Sequence, residues 1–439
     1  MATTTGPMTP FGAELRRLRL EKGWTLNDLS KEVHFSKGHL SKVENGHKAA
    51  SHEFARTCDN ALGAGGRLAA LVQGGRASRP AAEAAPDGVF PASPGAQQGF
   101  AREALGMGTA SILGLGPGGR PRRPALRSPD VLAPFRLLFD QLRAVGRSTG
   151  PSAVLPTVVA QTQALTRLAE RSAAEPRRAA LLLASRNAEY GGWMAQENGD
   201  DRAALWWTGH AVRLADAAGD PELRGYALVR RACIAMYAHD GTGTVALARQ
   251  AQADRSLSHR VRAIAAEREA QGHALLGDEV GCFRSLERAA ASGERADEED
   301  EQPRPGAGGR AGGAEDERPR LGSGVPDRLG AVTGWCLYDL GRPADAAARL
   351  DGVLAGLPGD AGRARARFGM RLALSHAGAG DTDRACALAD ELIDDVEAVD
   401  SATIAQDVRL LVRTLKRRPG DPAVRNLAPR LAQVLHRPT

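Results

Sequence analysis

The sequence predicts an all-α chain: an N-terminal five-helix domain over residues 9–73, a flexible linker over 74–129, and a helical array over 130–437. Three observations predict it. Apolar residues recur at helical spacing on both sides of the linker, with almost no strand signal. Polar caps and terminating glycines bound the short N-terminal runs. In the C-terminal part, small residues recur at fixed offsets around a series of glycine turns.

In the first run Phe11, Leu15 and Leu18 share one helical face until Gly23 ends it. Thr25 caps a second helix, with Asp28 three residues on, and its inner face is Leu26, Leu29 and Val33. Ser36 caps a third. That helix turns Leu40 and Val43 inward and leaves Lys37, His39, Lys42 and Asn45 outward before Gly46 stops it. Two helices joined by the tight turn at His34-Phe35 make a helix-turn-helix, which can present one helix face to a major groove. Charge follows the same division. Five of the six lysines (Lys22, Lys31, Lys37, Lys42, Lys48) lie between positions 22 and 48, a span without arginine, whereas fifty-two arginines carry positive charge elsewhere. Between residues 11 and 50, eight Lys or Arg stand against five acids, a modest excess that suits a phosphate-facing surface. Lys22 and Lys31 read as solvated face.

From Phe11 to about Val72 these residues resemble the helix-turn-helix family of phage Cro and repressor-type regulators, also called the xenobiotic-response-element family. Three segments carry the resemblance: Leu15-Arg16-x-Leu18-Arg19, Thr25-Leu26-x-x-Leu29-Ser30, and Ser36-Lys37-x-x-Leu40-Ser41-x-Val43-Glu44-Asn45-Gly46. It implies that Arg19 pairs with Glu44 to pin the first helix to the third. It also implies that Lys37 and Lys42 contact bases, with Ser36, His39, Asn45 and Lys48 near phosphates; Thr25 joins the same DNA-binding set. Two departures thin this recognition: Leu26 stands where the family often has a glutamine, and Gly38 leaves one reading position without a side chain. At the turn His34 replaces a favoured glycine, and histidine is among the residues less penalised at positive φ.

Residues 74–129 are rich in Gly, Pro, Ala and Ser without a sustained period, which is linker composition. A second such segment, residues 292–326, contains an acidic run from Asp297 to Glu301 and reads as a disordered insertion.

The array is expected to turn at Gly199-Asp200, Gly241, Gly277-Asp278, Gly341 and Gly380-Asp381. Five residues after these stand Ala204, Ala246, Cys282, Ala346 and Ala385; seven before stand Gly192, Ile234, Ala270, Gly334 and Ala373; twelve after stand Ala211, Ala253, Ala289, Val353 and Leu392. Small side chains there let antiparallel helices approach closely. The pattern resembles the tetratricopeptide repeat. Turn spacings of 42, 36, 64 and 39 fit one repeat length except the third, whose excess matches the 292–326 insertion. Helices over Val131–Val145 and Ser152–Ala173 open the array, and helices through Leu435 close it. The resemblance implies a tetratricopeptide-like α-solenoid whose concave face suits a peptide or protein ligand, acting as a sensor or oligomerisation module.

Catalysis finds little support. There is no His-Glu-x-x-His, no Gly-x-Ser-x-Gly and no Gly-x-x-x-x-Gly-Lys, and His210, His239, His259, His273 and His376 stand singly. Five scattered cysteines (Cys58, Cys233, Cys282, Cys336, Cys386) lack metal-ligand spacing and favour reduced thiols. No enzyme, cofactor or metal is expected. The mildly apolar run Ala104–Gly118 is broken by five glycines and a proline and is too short to span a membrane. No secretory signal is read at the N-terminus, and heavy use of Arg over Lys suggests a GC-rich bacterial genome. Together these readings imply a cytoplasmic, sequence-specific transcription regulator, with double-stranded DNA and a second copy of the chain as partners. The alternative is an interaction scaffold whose N-terminal domain binds DNA weakly or not at all.

Overall fold

The computed structural model describes residues 10–33, 35–48, 50, 52–74, 129–301 and 325–435, and their regular structure is helical throughout. Five helices form the N-terminal domain: α1 (Pro10–Glu21), α2 (Leu26–Val33), α3 (Lys37–Glu44), α4 (His52–Leu62) and α5 (Arg67–Gly74). Leu15, Leu29, Leu40, Val43, Phe54, Cys58 and Leu68 are fully buried between them. Burying one large apolar side chain contributes about 1.5–3 kcal/mol, so this compact core offsets the poor intrinsic stability of eight-residue helices. Gly12 sets the crossing of α1 over α3. A Cβ there would lie 2.5 Å from the Val43 carbonyl oxygen and 2.6 Å from that of Glu44, so only glycine permits the contact. Asp59 at the end of α4 fixes α5 by accepting the Leu68 and Ala69 N–H groups at 2.9 and 2.7 Å. Those are donors that a helix start leaves without intrahelical partners.

After a 3-10 turn (Pro129–Leu132) come α6 (Ala133–Val145) and α7 (Pro151–Ala169), and then six antiparallel hairpins. They are α8 (Ala174–Glu197) with α9 (Asp201–Ala218), α10 (Glu222–Tyr237) with α11 (Gly241–Ala253), and α12 (His259–Leu276) with α13 (Glu279–Glu301). The rest are α14 (Arg328–Asp339) with α15 (Pro343–Ala355), α16 (Gly362–Ala379) with α17 (Thr382–Val399), and α18 (Ala402–Leu415) with α19 (Pro422–Leu435).

One turn departs from its expected place. The chain enters the left-handed region at Gly199, His239, Gly277, Gly341 and Gly380, so the second turn centres on His239 and not Gly241. The next residue, Asp240, caps α11 by accepting the Gly243 N–H at 2.8 Å, which makes Gly241 the first residue of the helix. The register of this repeat therefore moves by two. Ala232, Thr244 and Ala251, each fully buried, replace Ile234, Ala246 and Ala253 in the three rows of small residues. The corrected turns are spaced by 40, 38, 64 and 39 residues, a more even repeat than the sequence suggested.

A second correction concerns the insertion. α13 continues through Glu301, so residues 292–301, assigned to the insertion, extend the helix; Ala296 is buried on its inner face. Residues 302–324 lie outside the described residues, as does the proposed linker apart from its terminal positions Gly74 and Pro129.

The array curls until its last hairpins meet its first, and charge closes the ring. Glu197, at the end of α8, takes Arg363 at 2.7 Å and Arg367 at 2.6 Å from α16. Ser401 and Thr403, at the start of α18, donate to the same carboxylate at 2.7 and 2.9 Å. Burial raises the pKa of Glu197, but Arg367, Arg363 and the Ser401 hydroxyl outweigh it and hold the group at about 2. One turn further along α16, Arg371 lies between Asp339 (3.5 Å) and Asp407 (3.3 Å). Each arginine of this ladder faces a ring: Arg363 on Trp193, Arg367 on Tyr237, and Arg371 on Trp335 at 3.6 Å. Where the last hairpins meet the first, these guanidinium groups, carboxylates and rings pack against one another. The cavity left beside Trp335, Asp339 and Asp407 measures about 30 Å³.

Candidate nucleic-acid interface

The two α3 residues expected to read bases, Lys37 and Lys42, are exposed, on the side of the helix away from buried Leu40 and Val43. Neither is paired with a carboxylate among the described residues. Ser36 caps α3, its hydroxyl accepting the His39 N–H at 3.2 Å, and remains exposed. Arg19 Nε donates to Glu44 Oε1 at 2.7 Å and Nη2 to Oε2 at 2.9 Å, with Nη1 donating to the Trp24 carbonyl. This buried fork ties α1 to α3 and so sets the direction in which Lys37 and Lys42 project.

Other members of the expected set are differently engaged. Thr25 is exposed but its hydroxyl and N–H both donate to Asp28, at 2.6 and 2.9 Å, closing the cap of α2. Asn45 turns back on its own helix, donating from Nδ2 to the Ser41 carbonyl at 2.8 Å. His39 is half-buried between Phe35 and Phe54, with ring centroids 5.2 and 5.1 Å away. Burial, followed by the charges of Lys48, Arg417 and Lys42, pushes its pKa down to about 4. It is therefore neutral at physiological pH, and Lys48 Nζ donates to its Nδ1 at 3.3 Å. His39 thus packs the turn and receives Lys48. His34 lies outside the described residues. Lys22 is tied down by the Ala61 carbonyl at 2.6 Å and lies 4.2 Å from the Trp24 ring centroid.

The domain does not stand apart from the array. Arg56, on α4, reaches Asp339 at 3.6 Å, with both side chains about 5% exposed, and so continues the arginine ladder from outside the array. Asn60 donates to the Gly341 carbonyl at 3.0 Å, and a Cβ on Gly66 would meet the Leu276 carbonyl oxygen at 2.4 Å. Thus α4 and the start of α5 rest on the hairpin turns at Gly277 and Gly341. Beside this contact a cleft of about 570 Å³ opens between Glu32, Thr57 and Asn60 on the domain and Glu279, Arg342 and Asp345 on the array. Arg56 carries no sequence signal, because a lone arginine on an amphipathic helix reads as solvated. The ladder left a weak one: Arg363, Arg367 and Arg371 recur every four residues on the buried face of α16.

A short capped α2, a turn and an exposed cationic α3, locked to α1 by a buried ion pair, define a helix-turn-helix DNA-binding unit. Comparison with known families agrees, since residues 10–72 match the family described as a helix-turn-helix domain. No curated protein and no solved structure matches the chain. Among the described residues, no group of three His, Cys, Asp or Glu side chains is placed to hold a metal ion, and no helix is long and apolar enough to cross a membrane.

Proposed function

We propose that the chain is a sequence-specific transcription regulator of the Cro/repressor type, which binds as a homodimer and works by binding, not catalysis. Two copies place their α3 helices in major grooves about 34 Å apart, one helical turn of DNA. The observation that carries this reading is the exposure of Lys37 and Lys42 on a helix whose orientation the Arg19–Glu44 fork fixes. The array, read as tetratricopeptide-like, acts as the sensor or assembly module of a bacterial cytoplasmic protein. A ligand that moves the domain relative to the array acts where the two meet. The cleft of about 570 Å³ there has the volume of a small-molecule or short-peptide site.

Selection of bound duplexes from a random-sequence pool tests the reading. A discrete motif is expected, and Lys37→Ala or Lys42→Ala should each weaken binding to it by about 1–3 kcal/mol if the side chain meets a base edge. Failure to select any motif would leave the interaction scaffold as the better description, and unaltered affinity in both variants would remove α3 from the groove.

A further inference from the structure

The sixth lysine of this chain, Lys416, is the one outside residues 22–48, and its neighbour in the chain packs on the N-terminal domain. It follows α18 directly and is followed by Arg417, whose guanidinium lies 3.6 Å from the centroid of the Phe35 ring. Phe35 immediately precedes Ser36, the cap of α3. The end of α18 therefore abuts the N-terminal end of the recognition helix, the end that a helix-turn-helix directs at base edges.

The exposed face of α18 is cationic. Arg409 and Arg413 stand one turn apart, and Lys416 and Arg417 continue the run; all four are exposed. Arg409, Arg413 and Lys416 meet no exposed carboxylate on their own helix. The one carboxylate between residues 401 and 420 is Asp407, buried against Arg371. The next along the chain, Asp421, faces the start of α19, where it accepts the Ala423 N–H at 2.9 Å. Arg418 is turned away to the Gly380 carbonyl and Thr382 hydroxyl and is not part of the face. Docking places this cationic helix end against a domain that already carries Lys37, Lys42 and Lys48. Burial is the main cause of the depressed pKa of His39, and Lys48, Arg417 and Lys42, all close to that ring, lower it further. Such crowding is unfavourable in the free protein and is relieved by a polyanion that meets both surfaces. At about 1.5 Å per residue, the run from Arg409 to Lys416 spans roughly 10 Å, enough for about two phosphates of one strand.

We propose that the array takes part in DNA binding: the basic end of α18, through Arg413 and Lys416, contacts the phosphate backbone flanking the base pairs that α3 reads, while Arg417 holds that helix end against Phe35. This rests on the reading of α3 as a DNA-binding helix. The bound partner is the backbone of the same duplex, so these contacts add affinity without sequence preference.

The salt dependence of affinity tests the idea on the full chain with its selected duplex. Arg413→Gln/Lys416→Gln leaves the Arg417–Phe35 contact in place and should leave the thermal melt unchanged. If both residues meet phosphates, the slope of log K against log salt becomes shallower by about 0.9 per contact. The affinity gap from wild type then narrows roughly tenfold between about 50 and 200 mM salt, and the selected motif is unchanged. Lys416→Glu alone should weaken binding further at low salt. An unaltered slope, in a protein where Lys37→Ala still weakens binding, would overturn the inference and leave the function of α3 intact. Tighter binding by the double variant would also overturn it, because the basic end would then be holding the domain back. Absence of any selected motif in the wild type would remove both readings together.

Discussion

The DNA-binding unit and the array use the same kind of charge in opposite ways. Around α3 the free cations, Lys37 and Lys42, point to solvent over an apolar core built from Leu15, Leu40, Val43 and Phe54. In the array, Arg363 and Arg371 are almost wholly buried with Arg367 between them, and their guanidinium groups are flanked by aromatic rings and carboxylates. The partition between lysine and arginine follows from the side chains. A planar guanidinium stacks on a ring and forks to a carboxylate while keeping its charge, whereas an ammonium is strongly hydrated and favours the surface. Counting charge thus says little about partners until burial is known. Most of this chain's excess is arginine, and some of that arginine is core.

The comparison breaks most visibly if Glu197 is removed. Glu197→Ala leaves Arg363 and Arg367 buried without their shared carboxylate, and loss of one member of a buried ion pair costs about 3–5 kcal/mol. With two guanidinium groups stranded, the upper end is expected, read as the shift in the urea midpoint of the full chain. A loss below about 1 kcal/mol would mean that apolar packing alone closes the array. Glu44→Ala strands one guanidinium and should cost less, about 3 kcal/mol, because Arg19 keeps its bond to the Trp24 carbonyl at 2.7 Å. Hydrogen exchange should show that loss within α1 to α3 and not in the array; protection lost in both would mean the two units unfold together.

The smallest effect sharpens the contrast through pH. The pKa of Glu197 is depressed from 4.5 to about 2 in the folded chain, so its contribution to stability is present above the unfolded value. It is lost as pH falls from about 4.5 to about 2. Glu197→Gln should flatten the acid limb of the stability profile over that interval, and an equally steep limb in the variant would assign acid sensitivity to other carboxylates.

Local order was legible in the sequence because its causes are local. The Thr25–Asp28 box and the Ser36 cap act over three residues, and the inward rows of Leu15 and Leu18 or Leu40 and Val43 follow from helical period alone. The small-residue rows of the array were also legible, apart from the repeat around His239. There the sequence reading placed the turn at the nearest glycine, whereas the Asp240 cap and a left-handed histidine set it two residues earlier. The contacts of Asn45 and His39 were not legible: helical direction points both outward, but in the fold the Ser41 carbonyl accepts from one and a pair of phenylalanines flanks the other.

By itself, then, the sequence determined the helical class, the caps and inward faces of the N-terminal helices, and the cationic side chains on α3. The tertiary structure decided everything that joins distant segments. Glu197 meets Arg367 across 170 residues and Thr403 across 206, Arg56 crosses from α4 to Asp339, and Arg417 comes to rest on Phe35. These contacts depend on how small rotations between successive hairpins accumulate along the array. No local pattern of side chains encodes that sum, so the closure of the ring, the docking of the DNA-binding domain and the position of Lys416 became visible only in the fold.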